Sequence, residues 1–154
     1  MSLTKANFTI NTLESHIENR EVSNPKISKA NVAWHIDHSL KVINNVIIAL
    51  QNSDPKTYKN NLSFLGRIIL LVGSFPRGRA KAPKTVIPPK VILEEDIIAQ
   101  FKAVKTNIKL IDTLDKNAYF KHPIFGNINK AKIYRFMELH TKHHLKIIDD
   151  ILRK

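Results

Sequence analysis

Apolar residues recur every three or four positions over five segments of the chain, the spacing with which an α-helix buries one face. The clearest segment runs from about Ser28 to Gln51. Its inward positions are Val32, Ile36, Ser39, Ile43, Val46 and Leu50. A shorter N-terminal segment places Ile10, Leu13 and Ile17 at the same spacing, with Asn11 as the expected N-cap and Glu14 as its partner three residues on. No segment alternates with period two over a useful length, so the pattern predicts an all-α fold.

Capping residues bound the other three predicted helices. The third is expected to begin at Asp54-Pro55 and to end at Gly73. The fourth begins at Glu94, in a run of acidic residues that the helix dipole favours, and reaches about Ile111. Asn129 can cap a fifth helix. Its inward positions are Ile133, Met137, His140, His144, Ile148 and Ile151. We therefore expect one domain over residues 1–154, a four-helix bundle with an extra short helix.

Residues 75–90 break the helical pattern. They read FPRGRAKAPKTVIPPK, with four prolines and no acidic residue, which predicts a long basic loop. The favoured interpretation is a solvated segment that adds to the net charge. The alternative is an anion-binding rim for a carboxylate, a phosphate or an anionic thiol. The residues of that rim would be Arg77, Arg79, Lys81 and Lys84.

Composition limits the classes of function. The 154 residues are 43% hydrophobic, and 25 basic side chains against 13 acidic ones give a net charge of +12. Such a surface attracts anions. Nucleic acid is nevertheless disfavoured as a partner, because aromatic residues are few and no helix-turn-helix pattern is present. The lack of cysteine excludes disulfides and thiolate-based zinc sites. The longest apolar runs, such as Ile68–Val72, are too short for a membrane span, and no secretory pattern opens the chain, so we expect a cytoplasmic protein.

The histidines carry the candidate chemistry. His140 and His144 lie four residues apart on the inward face of the fifth helix, where one metal ion could satisfy both buried imidazoles. A third ligand would come from the second helix, which offers His35 and His38. At about 100° per residue, His35 lies roughly 60° from the centre of the apolar stripe and His38 roughly 120°. Helical phase therefore favours His35 and places His38 closer to the surface.

Other polar residues receive less specific interpretations. Three side chains are expected to flank or support the ligands: His38, His143 and Tyr134. Asp37 and Glu138 lie off the apolar stripes and are interpreted as solvated surface charges. His16 and His122 are interpreted as ordinary hydrogen-bonded histidines.

Several motifs resemble the DinB-like (YfiT-like) superfamily of metal-dependent helical bundles. They are WHIDHSLKV, the PRGRAKAPK loop, HPIFG and HTKHHLKIIDDIL, and the resemblance runs from roughly residue 25 to the end, to a branch of unknown function. In that superfamily one histidine follows an apolar run on the second bundle helix, and two more come from an H-x-x-H-H pattern on the last. The resemblance implies a three-histidine site at His35, His140 and His144, and often a homodimer.

What the resemblance implies about activity is broad, since relatives include thiol S-transferases and isomerases. Three neutral imidazoles leave a coordination position open, as in catalytic metal sites. We therefore expect a metal-dependent hydrolase or low-molecular-weight-thiol transferase with an anionic small-molecule substrate. The expected metal is zinc or nickel, with iron, copper or manganese as alternatives. The competing hypotheses are a basic module that binds nucleic acid or another anion, and a bundle in which the metal only reinforces folding.

Overall fold

The computed structural model describes residues 3–78 and 82–153, and this part of the chain is mostly helical. Its α-helices are α1 (Leu3–Glu14), α2 (Val32–Asn52), α3 (Phe64–Val72), α4 (Glu94–Asn107) and α5 (Lys130–Leu152). Short 3₁₀ helices span Ile17–Asn19, Pro55–Thr57, Lys84–Val86 and Ile108–Thr113. The two strands are β1 (Tyr119–His122) and β2 (Gly126–Asn129). The predicted predominance of helix is confirmed, with a small sheet added.

The long helices α2 and α5 form the centre of the fold. Asn31 caps α2 by accepting a hydrogen bond from the backbone N–H of Trp34 at 3.0 Å. α2 packs against α4 and α5, and α1 packs against α5. The inward stripes of α2 and α5 predicted from the sequence are buried except at His140, which is half-buried, and Ile36 of α2 and Ile133 and Ile148 of α5 are fully inaccessible to solvent. The core therefore lies where these helices meet, which is also where their histidines face one another.

Three helix starts differ from the prediction, and the first is that of α2, which begins at Val32 and not near Ser28. Asn11 lies inside α1, which already begins at Leu3 within the described residues, so it is not an N-cap. Asp54-Pro55 opens only a single 3₁₀ turn. The chain then has no regular secondary structure until Ser63 caps α3, accepting from the N–H of Gly66 at 3.1 Å. The predicted end at Gly73 is confirmed by its φ of 81°, a conformation that glycine adopts readily.

A β-hairpin replaces part of the turn-rich stretch expected before the last helix. β1 and β2 pair antiparallel, with Phe120 opposite Ile128. Gly126 has a φ of 81°, and a Cβ there would lie 2.5 Å from the Asn61 carbonyl oxygen. The Ser63 N–H donates to the Phe125 carbonyl at 2.8 Å, which ties the hairpin to the segment before α3. These partners lie some 60 residues away in the sequence, so local periodicity did not reveal the hairpin.

α3 buries only Gly66 and Ile69 and leaves an apolar surface, called here the α3 patch. Its members, with their exposed fractions, are Phe64 (79%), Leu65 (49%), Ile68 (39%), Leu71 (83%) and Val72 (71%). Gly66 is in close contact with the hairpin, since a Cβ there would lie 2.9 Å from Phe125 Cβ. None of the helices in the described part of the chain combines the length and apolarity of a membrane span.

Candidate metal centre

Three histidines from two helices converge in the interior. His140 and His144 follow one another by one turn of α5, and His38 faces them from α2. One ring nitrogen of each lies within 4.8 Å of the others, so the three could hold a metal ion. The ring centroids are 4.7 Å apart for His140 and His144, 4.8 Å for His38 and His144, and 5.2 Å for His38 and His140. We call these three residues the histidine trio.

The position of His38 corrects the helical-phase argument. His38 is only 5% exposed and His35 is 4% exposed, so the expectation that His38 lies closer to the surface is wrong. The 3₁₀ turn Lys84–Val86, within the basic loop, packs against that flank of α2. The His38 Nδ1 lies 2.8 Å from the Val86 carbonyl oxygen. A loop distant in the sequence therefore covers the side of the helix that periodicity assigned to solvent.

The hydrogen bond to Val86 also fixes the tautomer of His38. A carbonyl oxygen only accepts, so the His38 Nδ1 carries the hydrogen and donates it. In the neutral ring the Nε2 then has no proton and offers its lone pair. Metal-binding histidines commonly use this arrangement, in which a backbone carbonyl orients the ring through the nitrogen that does not bind.

His35 lies beside the trio and contacts one of its members. Its Nδ1 is 3.0 Å from the Nδ1 of His144, so one ring donates a hydrogen bond to the other. Its Nε2 is 3.1 Å from the Ser28 hydroxyl, which also accepts from the Ala30 N–H at 3.1 Å. His35 is thus held between Ser28 and His144. Its assignment as a metal ligand stays a prediction, and the structure offers His38 as an alternative.

His140 contains a buried nitrogen whose hydrogen-bonding capacity is unused. Its Nδ1 is inaccessible to solvent and has no hydrogen-bond partner among the described residues. Leaving such an atom unpaired costs on the order of 1–3 kcal/mol. A metal ion bound to this nitrogen would supply the missing partner. The donor set is also suitable, because neutral imidazoles bind zinc and other divalent transition metals.

Burial keeps these histidines uncharged at neutral pH. It lowers the pKa of His35 to about 4 and holds the pKa of His140 and of His144 well below the ordinary value of 6.5. Burial also lowers the pKa of His38, although the hydrogen bond to Val86 and the nearby carboxylate of Asp37 oppose the shift. Metal ions bind the neutral form of imidazole, so protons compete little at pH 7.

Two carboxylates interpreted as solvated are buried instead. Asp37 is 1% exposed and Glu138 is 2% exposed. Asp37 accepts from Lys41 at 2.5 Å and from Gln100 at 2.6 Å. Glu138 accepts from Lys142 at 2.6 Å. In each case a lysine four residues further along the helix covers the carboxylate, and this spacing was a readable signal in the sequence.

The remaining candidates lie at different distances from the trio. The ring of His143 is half-buried, with its centroid 5.1 Å from that of His144. The Tyr134 hydroxyl donates to the Asp112 carboxylate at 2.9 Å, so the structure directs it to the Ile108–Thr113 turn and not to the histidines. His122 accepts from two backbone N–H groups of its own hairpin turn, each at 3.1 Å.

Of the four residues proposed as an anion-binding rim, the structure describes two. Arg77 makes an ion pair with Asp150 at 2.7 Å. Lys84 is exposed at the start of the 3₁₀ turn. Arg79 and Lys81 lie outside the described residues. The anion-binding rim therefore stays a prediction, because the structure describes only two of its four residues.

Comparison with known proteins gives one result. A family model described as "Protein of unknown function (DUF1569)" matches residues 65–150, which is more than half of the chain. No curated protein and no solved structure matches. The matched range contains His140 and His144, whereas His35 and His38 precede it.

Proposed function

The chain belongs to the family described as "Protein of unknown function (DUF1569)", and for this member we propose a divalent metal site formed by His38, His140 and His144. The observation that carries the proposal is the convergence of three imidazole nitrogens within 4.8 Å, one ring having a buried nitrogen with no partner among the described residues. The DinB-like four-helix bundle and the homodimer implied by the motif resemblance are part of the same proposal.

The surrounding residues would hold the ligands in place. The Val86 carbonyl accepts a hydrogen bond from the Nδ1 of His38, so the Nε2 of His38 remains free to bind the metal. We assign the Nε2 of His144 as its ligand atom, because its Nδ1 faces the Nδ1 of His35. His144 then donates to His35, and His35 donates to Ser28. In this arrangement His35 is a positioning residue that orients His144.

Three protein ligands favour a catalytic use over a sealed structural one, because a tetrahedral ion would keep one position open. When bound, the metal would lower the pKa of a water or stabilise a substrate thiolate. A metal-dependent hydrolase or a thiol transferase is accordingly the activity that we propose. Zinc or nickel is the proposed metal, since both accept an all-nitrogen donor set.

The decisive experiment measures metal content by elemental analysis, using protein purified without an affinity tag. We expect about one equivalent of metal per wild-type chain. His38→Ala, His140→Ala and His144→Ala should each lose it. His35→Ala should retain the stoichiometry with an affinity roughly tenfold weaker, the cost commonly found when a residue that orients a ligand is removed. His16→Ala is the matched control, since His16 contacts the exposed carboxylate of Asp149.

Other outcomes would change the assignment. If His35→Ala lost the metal and His38→Ala kept it, the ligands would be His35, His140 and His144, as helical phase predicted. If all variants carried the same metal as the wild type, the site would be refuted. If metal removal lowered the melting temperature and no small molecule shifted that of the metal-bound protein, the metal would be structural.

A further inference from the structure

A small cavity opens between α5 and the segment Gly73–Arg77, and it is lined by neighbours of the trio but by none of its three histidines. Its volume is about 190 Å³. Substrate pockets usually measure about 300–1,000 Å³, so this cavity would accommodate one chemical group of a ligand and not a whole large molecule. Its lining includes four nitrogen-bearing side chains and no acidic one: Arg77, Lys142, His143 and Lys146.

The positive charges of this cavity are only partly neutralised. Arg77 pairs with Asp150 at 2.7 Å and Lys142 with Glu138 at 2.6 Å. Lys146 is exposed and makes no ion pair within the part of the chain that the structure describes. The cavity therefore keeps an unmatched positive charge.

One aromatic ring lies next to both the cavity and the histidine trio. Phe75 lines the cavity, and its ring centroid lies 6.1 Å from that of His140 and 6.0 Å from that of His143. His143 is in turn next to His144 in the chain, with ring centroids 5.1 Å apart. A small molecule with its anionic group in the cavity would thus lie close to the trio.

We propose that this cavity binds the carboxylate or phosphate group of the substrate, with Arg77, Lys142 and Lys146 as its cationic partners and Phe75 as its wall. Arg77 offers a planar pair of N–H donors suited to such anions, and the lysines add point charges. The substrate class is therefore a small molecule with an oxyanion group close to its reacting group. The identification of the bound anion as a substrate rests on the proposed metal site, but anion binding itself does not require the metal.

The test is calorimetric titration of the full-length protein, freed of metal by chelation and dialysis. Inorganic phosphate and acetate are titrated separately at an ionic strength fixed with sodium chloride, so that the two arms distinguish phosphate from carboxylate. Lys146→Gln removes the unpaired cation. Lys116→Gln makes the same change of charge at an exposed lysine outside the cavity. Melting curves of both variants verify that they fold.

We expect saturable binding of at least one anion. Lys146→Gln should weaken it roughly tenfold, the loss of one charge-assisted hydrogen bond, whereas Lys116→Gln should change it less than twofold. Equal weakening by both variants would mean that only the net charge of the surface attracts anions, and that would overturn the proposal. Absence of saturable binding in both arms would overturn it as well.

Metal content separates this proposal from the preceding one. Lys146→Gln should carry as much metal as the wild type. If the wild type binds metal but neither anion, the cavity assignment fails and the metal site stands. If anion binding depends on Lys146 but no metal binds, the cavity is an anion site and the proposed function fails.

Discussion

Acidification should destabilise the metal-free protein, because its buried histidines cannot take up protons while folded. Burial lowers the pKa of His35 from 6.5 to about 4. Between these values the unfolded chain binds a proton that the folded chain does not, so the free energy of unfolding falls as the pH falls. The contribution of His35 is present above pH 6.5 and is lost progressively as the pH falls toward 4.

The size of the effect follows from the two pKa values. From pH 7 to pH 5 the shift of His35 costs about 2 kcal/mol of stability. His122, whose pKa is likewise lowered to about 4, acts in the same direction. Glu138 adds little in this window, because its pKa is lowered below 4.5 and it remains ionised at pH 5. The wild type should therefore lose at least about 2 kcal/mol over these two pH units.

Urea unfolding at pH 7 and pH 5 measures this loss. His35→Asn keeps a polar side chain of similar reach and removes the titrating group, so its stability should fall by about 2 kcal/mol less than that of the wild type. The reasoning would be refuted if wild type and His35→Asn lost the same free energy.

Two further predictions concern a buried carboxylate and the uncovered helix. Glu138→Gln should lower the free energy of unfolding by about 2 kcal/mol, because the buried side chain loses its charge-assisted hydrogen bonds to Lys142 and Arg135. Glu14→Gln, in an exposed ion pair, should cost less than about 1 kcal/mol. Urea unfolding at pH 7 compares them, and equal losses would contradict the assignment of Glu138 as buried. If the implied homodimer forms through the α3 patch, Leu71→Lys should convert it to a monomer in analytical ultracentrifugation. Val91→Lys, at an exposed position outside the patch, should not. A wild type that sediments as a monomer would contradict the dimer.

The two central helices could be predicted because their burial follows from spacing along the chain. Each of the helices α2 and α5 buries one face, and apolar residues with a period of 3.6 mark that face in the sequence. The hairpin could not be predicted in this way, since its strands are four residues long and its partners, such as Asn61 and Ser63, lie far off in the sequence. Periodicity along the chain therefore predicted the long helices, but it could not predict contacts between segments that are distant in the sequence.

The same distinction explains the histidines. The pair on α5 was visible because both positions lie on one apolar stripe. The choice between His35 and His38 could not be made from the sequence, because both side chains are buried. The basic loop covers the flank of α2 that helical phase alone assigned to solvent. The burial of Asp37 depends in part on a distant segment, since Gln100 of α4 donates to it. The lysines four residues after Asp37 and Glu138 were a local signal, which the interpretation of both carboxylates as exposed left out.

X-ray absorption spectroscopy of the zinc-loaded protein would show whether histidines hold the metal ion. We expect one zinc per chain, a first coordination sphere of nitrogen and oxygen at about 2.0–2.1 Å, and outer scattering from three imidazole rings. His140→Ala should lose one ring from that signal or lose the zinc. A sphere made of oxygen alone, or an imidazole signal that is the same in wild type and His140→Ala, would contradict a metal site built on the histidine trio.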